Sequence, residues 1–258
     1  MEILGYVFLV IMGMTLGLVG AGGAILTIPI LVYLFGIPIV PATSYSLFLV
    51  GSSAFVASIR YRHTIQFRKV VNFAVPSALG VFATRNFIIP HLPHSLVIIS
   101  IDKALVILLL IFMGLAGYYM IKDASYTYEN VSSSSFEQSK KIALIALGLG
   151  ILMGLLGAGG GFLIIPTMVL LMGFTMQEAV PTSLFIITIN SFIGFAADKH
   201  HLLPYDWSNL AKYLLYALLG MLIGLYIAKF IKGKRLKKAF GYFVWMVGTA
   251  ILIKEFFL

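Results

Sequence analysis

Two stretches of this chain carry residue types that can hold an anion without using a charge. They are Gly17-Leu-Val-Gly-Ala-Gly-Gly-Ala-Ile-Leu-Thr-Ile-Pro29 and Gly154-Leu-Leu-Gly-Ala-Gly-Gly-Gly-Phe-Leu-Ile-Ile-Pro166. At a constant offset of 137 residues, nine of the thirteen positions are identical, and Gly13 matches Gly150 at the same offset. Glycine weakens a helix and proline removes a backbone donor, so each stretch should interrupt an apolar helix. Where the helix restarts, its first N–H groups lack intrahelical partners and carry partial positive charge, which suits an oxyanion. Without a Cβ, Gly20, Gly22 and Gly23, and Gly157, Gly159 and Gly160, would let that oxyanion reach the backbone. Neither copy ends in Gly-Lys-Ser/Thr and neither lies between a strand and a helix, so P-loop and Rossmann readings fail.

Hydroxyls recur with the glycines. Thr43-Ser44 and Thr182-Ser183 share an offset of 139, as do Ser52 and Ser191. Each Thr-Ser pair is expected to cap the apolar helix that follows, and hydroxyls there can also donate to an anion. Ser52, Ser53, Asn190 and Ser191 fall within apolar spans, where such groups either bond between helices or line a cavity. Ionisable residues inside spans are few. Arg85 lies five residues from Pro90 and is expected to snorkel to the interface. Asp102-Lys103 reads as a water boundary, and Glu178 as part of a turn before Pro181. There is no buried carboxylate pair for acid–base chemistry. His63, His200 and His201 have no partners at ligand spacing, and there are no cysteines, so neither a metal site nor a cofactor is expected.

The elements that position these groups follow from composition. Of 258 residues, 60% are hydrophobic and 10% charged, against about 25% charged in soluble domains. Mean hydropathy is +1.03. This describes an all-α integral membrane protein. The net charge of +9 sits in short loops between spans, which points to membrane orientation and anionic headgroups rather than nucleic acid. Apolar runs fall at 3–19, 24–40, 42–59, 70–89 and 95–121, then again at 141–156, 162–172, 210–231 and 239–253, with a further span between. The first run leads directly into the glycine motif with no small-residue cleavage site, so it is not expected to be a removable signal peptide. The organisation is a repeat over 1–122, a polar serine-rich linker over 123–140, and a second repeat over 141–258.

Two topologies compete. About eight spans, four per half, would make the repeats parallel. Counting each short run after a glycine stretch as its own pass inverts them, and basic loop residues then divide twelve to one, with Lys199 alone in the minority. The positive-inside rule prefers the inverted arrangement and makes the linker and the Lys232–Lys238 turn cytoplasmic. Paired interruptions in two halves are the best sequence pointer to a transporter's binding site near the midplane.

Taken together, the two Gly-x-x-Gly-x-Gly-Gly copies with Pro29 and Pro166, the Thr-Ser pairs and the polar stretch between halves resemble the TauE/SafE family of sulfite exporters. That resemblance implies a multi-pass plasma-membrane carrier, prokaryotic in type, for sulfite, thiosulfate or organosulfonates such as sulfoacetate. Ala24 stands where the second copy has Gly161, which makes the two half-sites unequal. The expected function is secondary transport of such an anion, bound between the two glycine interruptions and moved by alternating access. A channel using the same interruptions as a filter is the nearest rival; a membrane enzyme or scaffold would need chemistry or a purpose the spans do not offer. The partners expected are the small anion and membrane lipid, and a homodimer stays open.

Overall fold

The computed structural model describes residues 2–20, 22–62, 65, 67–89, 136–157, 161–198 and 206–231, with scattered helical positions in 110–121 and 235–253. Among them every regular element is helical. The first half contains α1 (Glu2–Val19), α2 (Gly22–Tyr33), α3 (Ile39–Arg60) and α4 (Phe67–Ala83), which runs on into a π turn at Thr84–Ile88. The second contains α5 (Phe136–Leu156), α6 (Gly161–Leu171), α7 (Met176–Ala197) and α8 (Trp207–Ala228). Among the described residues, four segments are long and apolar enough to cross a bilayer: Glu2–Val19, Pro41–Arg60, Gln177–Ala197 and Trp207–Ala228. Because α5 begins at Phe136, the last residues of the stretch read as a linker are helical; the earlier ones, and Asp102 and Lys103, lie outside the described residues.

Both glycine stretches end a helix with a left-handed residue. Gly20 has φ +77 and Gly157 has φ +63. The Gly20 N–H donates to Leu16 O at 2.7 Å and the Gly157 N–H to Met153 O at 3.0 Å, closing the final turn of α1 and of α5. Proline is not what interrupts the helix. Pro29 and Pro166 lie inside α2 and α6, and Pro181 inside α7. The chain then doubles back: Gly23 packs against Met12 and Leu16, and Gly5 against the Phe35 ring, so α2 returns antiparallel along α1. A second pair of left-handed glycines, Gly36 and Gly173, closes α2 and α6 in the same way. There the Ile37 N–H reaches Leu31 O and the Phe174 N–H reaches Met168 O, six-residue closures typical of a helix ending in glycine.

The Thr-Ser pairs do not cap their helices, contrary to expectation. Pro38 precedes α3, and Thr175 caps α7 in a box with Glu178, whose carboxylate takes the Thr175 N–H at 3.0 Å. Both pairs therefore sit inside the first two turns, and Glu178 is a capping residue rather than part of a turn.

The two halves exchange partners. A Cβ added at Gly13 or Gly17 would fall on the backbone of α8 around Ala217, Met221 and Gly224, and one at Gly220 or Gly224 on α1 around Val10 and Met14. Thus α1 and α8 cross in backbone contact and run in the same direction. Gly80 and Gly150 bring α4 and α5 together in the same manner. Between these two pairs, α3 and α7 run antiparallel, with Ser44 beside Asp198, Leu47 beside Gly194 and Gly51 against Ser191. Small residues at all three crossings suit a bilayer, where lipid tails are as apolar as side chains and close backbone packing must supply the attraction. Val71, Val75, Leu79 and Phe82 form an outward stripe on α4, and Leu215, Leu219, Leu222 and Tyr226 one on α8. A shared core of Leu16, Phe73, Met168 and Ile187 draws on both halves.

Candidate functional site

The polar residues collect along α3 and α7. At the end of the bundle where α3 begins and α7 finishes, four elements converge on one ion pair. Arg85, in the π turn, is 2% exposed and donates from Nη1 to Asp198 Oδ2 at 2.9 Å. The same nitrogen donates to Thr43 Oγ1 at 3.1 Å, and Ser44 Oγ donates to Asp198 Oδ2 at 2.7 Å. The glycine turn that ends α5 closes the group from the other side: a Cβ at Gly157 would fall on Thr43 and on Arg85 Nη2. The π turn matters here, because one extra residue in the helical turn re-aims the side chains that follow it.

Arg85 was expected at the interface. It is instead among the most deeply buried side chains, held by Thr43 of α3, by Asp198 at the end of α7 and against the Gly157 turn that ends α5. Nearness to Pro90 along the chain does not set its depth in the bundle. Asp198 was not singled out at all. Its signal was an arginine within a span that needed a carboxylate from somewhere, and Asp198 closes an apolar helix in the other half.

The first glycine turn meets the corresponding part of α7. A Cβ at Gly20 would come within 2.8 Å of Val180 Cγ1 and 3.3 Å of Ser183 Oγ. Ser183 Oγ donates to Val180 O at 2.9 Å and reaches Gly20 O at 3.4 Å. Each turn therefore packs on the Thr-Ser pair of the opposite half. The two turns do not meet around one midplane cavity, as the sequence suggested. Ser183 and Asp198 stand fifteen residues apart on α7, about 22 Å at 1.5 Å per residue, so the turns sit toward opposite ends. The antiparallel α3–α7 pair holds them there.

The environments of the two turns also differ. By the repeat offsets of 140 for α4 and α8 and 139 for α3 and α7, Leu225 corresponds to Arg85 and Ile59 to Asp198. Among the described residues, the buried ion pair lies at the Gly157 turn, and the equivalent positions at the other end are apolar. Of the other candidates, Gly22 opens α2 and Gly23 packs on α1; Gly159 and Gly160 lie outside the described residues, as do His63, His200 and His201. Ser52 is half-buried. Asn190 is a tie between helices: its Nδ2 donates to Ser77 Oγ at 3.1 Å and lies 3.6 Å from Met153 Sδ. The hydroxyls of Ser46, Ser53, Thr182 and Ser191 are buried with no hydrogen-bond partner among the described residues.

An apolar helical bundle with glycine-closed hairpins, a guanidinium held out of water and buried hydroxyls is the make-up of a membrane transport protein. The chain belongs to the sulfite exporter TauE/SafE family, whose model matches residues 6–251. It is 25% identical over 249 residues to a probable membrane transporter protein of Xylella fastidiosa, covering 94% of this chain and 91% of that protein. It is 30% identical over 225 residues to the probable membrane transporter protein YunE of Bacillus subtilis, covering 74% and 77%, and 28% identical over 199 residues to the probable membrane transporter protein MJ0441 of Methanocaldococcus jannaschii, covering 72% and 69%. No solved structure matches it. It is a multi-pass cell-membrane protein of a transporter family.

Proposed function

We propose that the chain is a secondary transporter of a small sulfur oxyanion or organosulfonate, of the sulfite, thiosulfate and sulfoacetate class, working by alternating access. The observation that carries this reading is Arg85. A guanidinium excluded from water costs several kcal/mol unless it meets negative charge, and its fork matches the geometry of an oxyanion. Here it lies against the glycine turn that ends α5 and donates to the Thr43 hydroxyl, which can itself donate to an anion. The anion would sit between Arg85, Thr43 and the Gly157 turn, with Thr182, Ser183 and the Gly20 turn as an uncharged counterpart toward the other end.

The exchange of helix partners and the antiparallel α3–α7 crossing support inverted repeats. In that arrangement Arg60, Lys140, Lys141 and Lys229 gather at the end opposite Arg85, which the positive-inside rule makes cytoplasmic. Alternating access would then consist of one end loosening as the other tightens around the α3–α7 axis.

Proteoliposomes test the reading. Labelled sulfite or thiosulfate should show saturable counterflow, competed by unlabelled sulfonates, and Arg85→Gln should abolish it with the protein still folded. Non-saturating flux would identify a channel. Counterflow untouched in Arg85→Gln would remove the charge-centred site.

A further inference from the structure

Resting on that reading, we infer that Asp198 is a built-in counter-anion: substrate displaces it from Arg85 as it takes up a proton, so the carrier moves one proton with each anion. The argument starts from the shape of the cluster. Asp198 Oδ2 receives both the Arg85 Nη1–H and the Ser44 hydroxyl. The carboxylate thus holds the donors that an incoming oxyanion would use. Two anions cannot share one buried guanidinium without strong repulsion, and a carboxylate left without its cation in the same place is costlier still. Protonation removes both costs at once. The neutral carboxyl keeps an oxygen for Ser44 and releases Arg85 to the substrate.

Among the described residues, the charged group facing Asp198 is Arg85 from the π turn, and α3 presents only the hydroxyls of Ser44 and Thr43. On α8, the nearest acidic residue, Asp206, is committed to capping: its carboxylate takes the Asn209 N–H at 3.1 Å and Asn209 Nδ2 at 2.6 Å. Tyr45, next along α3, gives its hydroxyl oxygen to the Asp206 N–H at 3.0 Å. Lys199, His200 and His201, which follow Asp198, lie outside the described residues. The repeat supplies an internal control, because the corresponding positions Leu225 and Ile59 carry neither charge. A pair needed only to hold the bundle together would have had to be needed at both ends; one half does without it.

The proton balance is simple. A proton from the aqueous side binds Asp198, the anion binds Arg85, and both leave on the far side when the pair re-forms. The probe is thiosulfate, whose charge is constant over the working pH range. On the wild-type protein in weakly buffered micelles, thiosulfate binding should take up about one proton per anion. Its affinity should weaken about tenfold per pH unit once Asp198 is ionised in the free protein, as one-proton linkage requires. Asp198→Asn, a neutral mimic of the protonated state, should bind thiosulfate with less than a twofold change across that range. In proteoliposomes it should exchange thiosulfate but no longer accumulate it when a pH gradient is imposed. Wild-type binding without proton uptake would overturn the inference, as would an Asp198→Asn variant that keeps the wild-type pH slope or gradient-driven accumulation. Should that variant not fold, the wild-type proton count decides alone. If wild-type protein binds no sulfur anion, the substrate reading has failed; if it binds one without a proton, only this inference has.

Discussion

Replacing Asp198 by alanine should be among the most damaging single changes in the molecule, and the size of the effect follows from burial. Arg85 is 2% exposed and the Asp198 side chain 7%, so solvent screening relieves little of the charge left behind. Removing one partner of a buried pair typically costs about 3–5 kcal/mol, because the remaining ion stays out of water without compensation. Asp198→Asn keeps an oxygen for Arg85 Nη1 and Ser44 Oγ and should cost less, about 1–3 kcal/mol. Arg85→Leu copies the leucine found at the corresponding position 225. Combined with Asp198→Asn it leaves no buried charge, so the double variant should lose at least about 1 kcal/mol less than the sum of the two singles. The assay is reversible unfolding in mixed micelles, followed by the fluorescence of Trp207 and Trp245. An Asp198→Ala variant within about 0.5 kcal/mol of wild type, the range of an ordinary surface change, would show the pair to be hydrated and would refute the reasoning. Strict additivity in the cycle would refute it equally.

Other outcomes can be stated more briefly. Gly157→Val should abolish thiosulfate counterflow, since its Cβ falls on Thr43 and Arg85, and a side chain in left-handed backbone adds about 1–2 kcal/mol of strain; parallel assays of transport and folded yield would check this. Gly36→Ala shares that strain at φ +68 but meets nothing within 4 Å, so it should lower stability by about 1–2 kcal/mol, whereas Gly220→Leu, against the Val10 backbone, should prevent folding; yield after size-exclusion chromatography separates the two. Thr43→Val should weaken anion binding by about 1–3 kcal/mol, while Thr182→Val, which removes a buried hydroxyl with no partner among the described residues, should be neutral or stabilising; titration calorimetry and unfolding measure these. Cutting the chain within 123–135 and co-expressing the pieces should restore folded protein, and either piece alone should be degraded, as an immunoblot of membranes would report.

The helical class, the membrane setting and the repeat were all legible, because apolar run length and self-similarity are properties of sequence alone. Some signals were present but not used. Thr175-Met-Gln-Glu178 is a Thr-x-x-Glu capping box, and Gly36 and Gly173 share the 137-residue offset of the interrupting glycines. What could not be read was pairing over distance. Arg85 and Asp198 are 113 residues apart; a nearby proline gives Arg85 a local explanation, and nothing beside Asp198 in the sequence marks it as a partner. The matching of each glycine turn with the other half's Thr-Ser pair was hidden for the same reason. The repeat says which residues are equivalent, and equivalence is silent about who touches whom.

The close crossing of α1 with α8 sets an order of events during synthesis. The glycine notches at Gly13 and Gly17 are cut to the backbone of a helix whose residues emerge about two hundred positions later. Until then α1 stands in the lipid with a groove its own half cannot fill, since α4 is shaped for α5. The first helix is therefore completed only when a late one closes over it. A ribosome that stalls between α5 and α8 leaves that notch open within the bilayer.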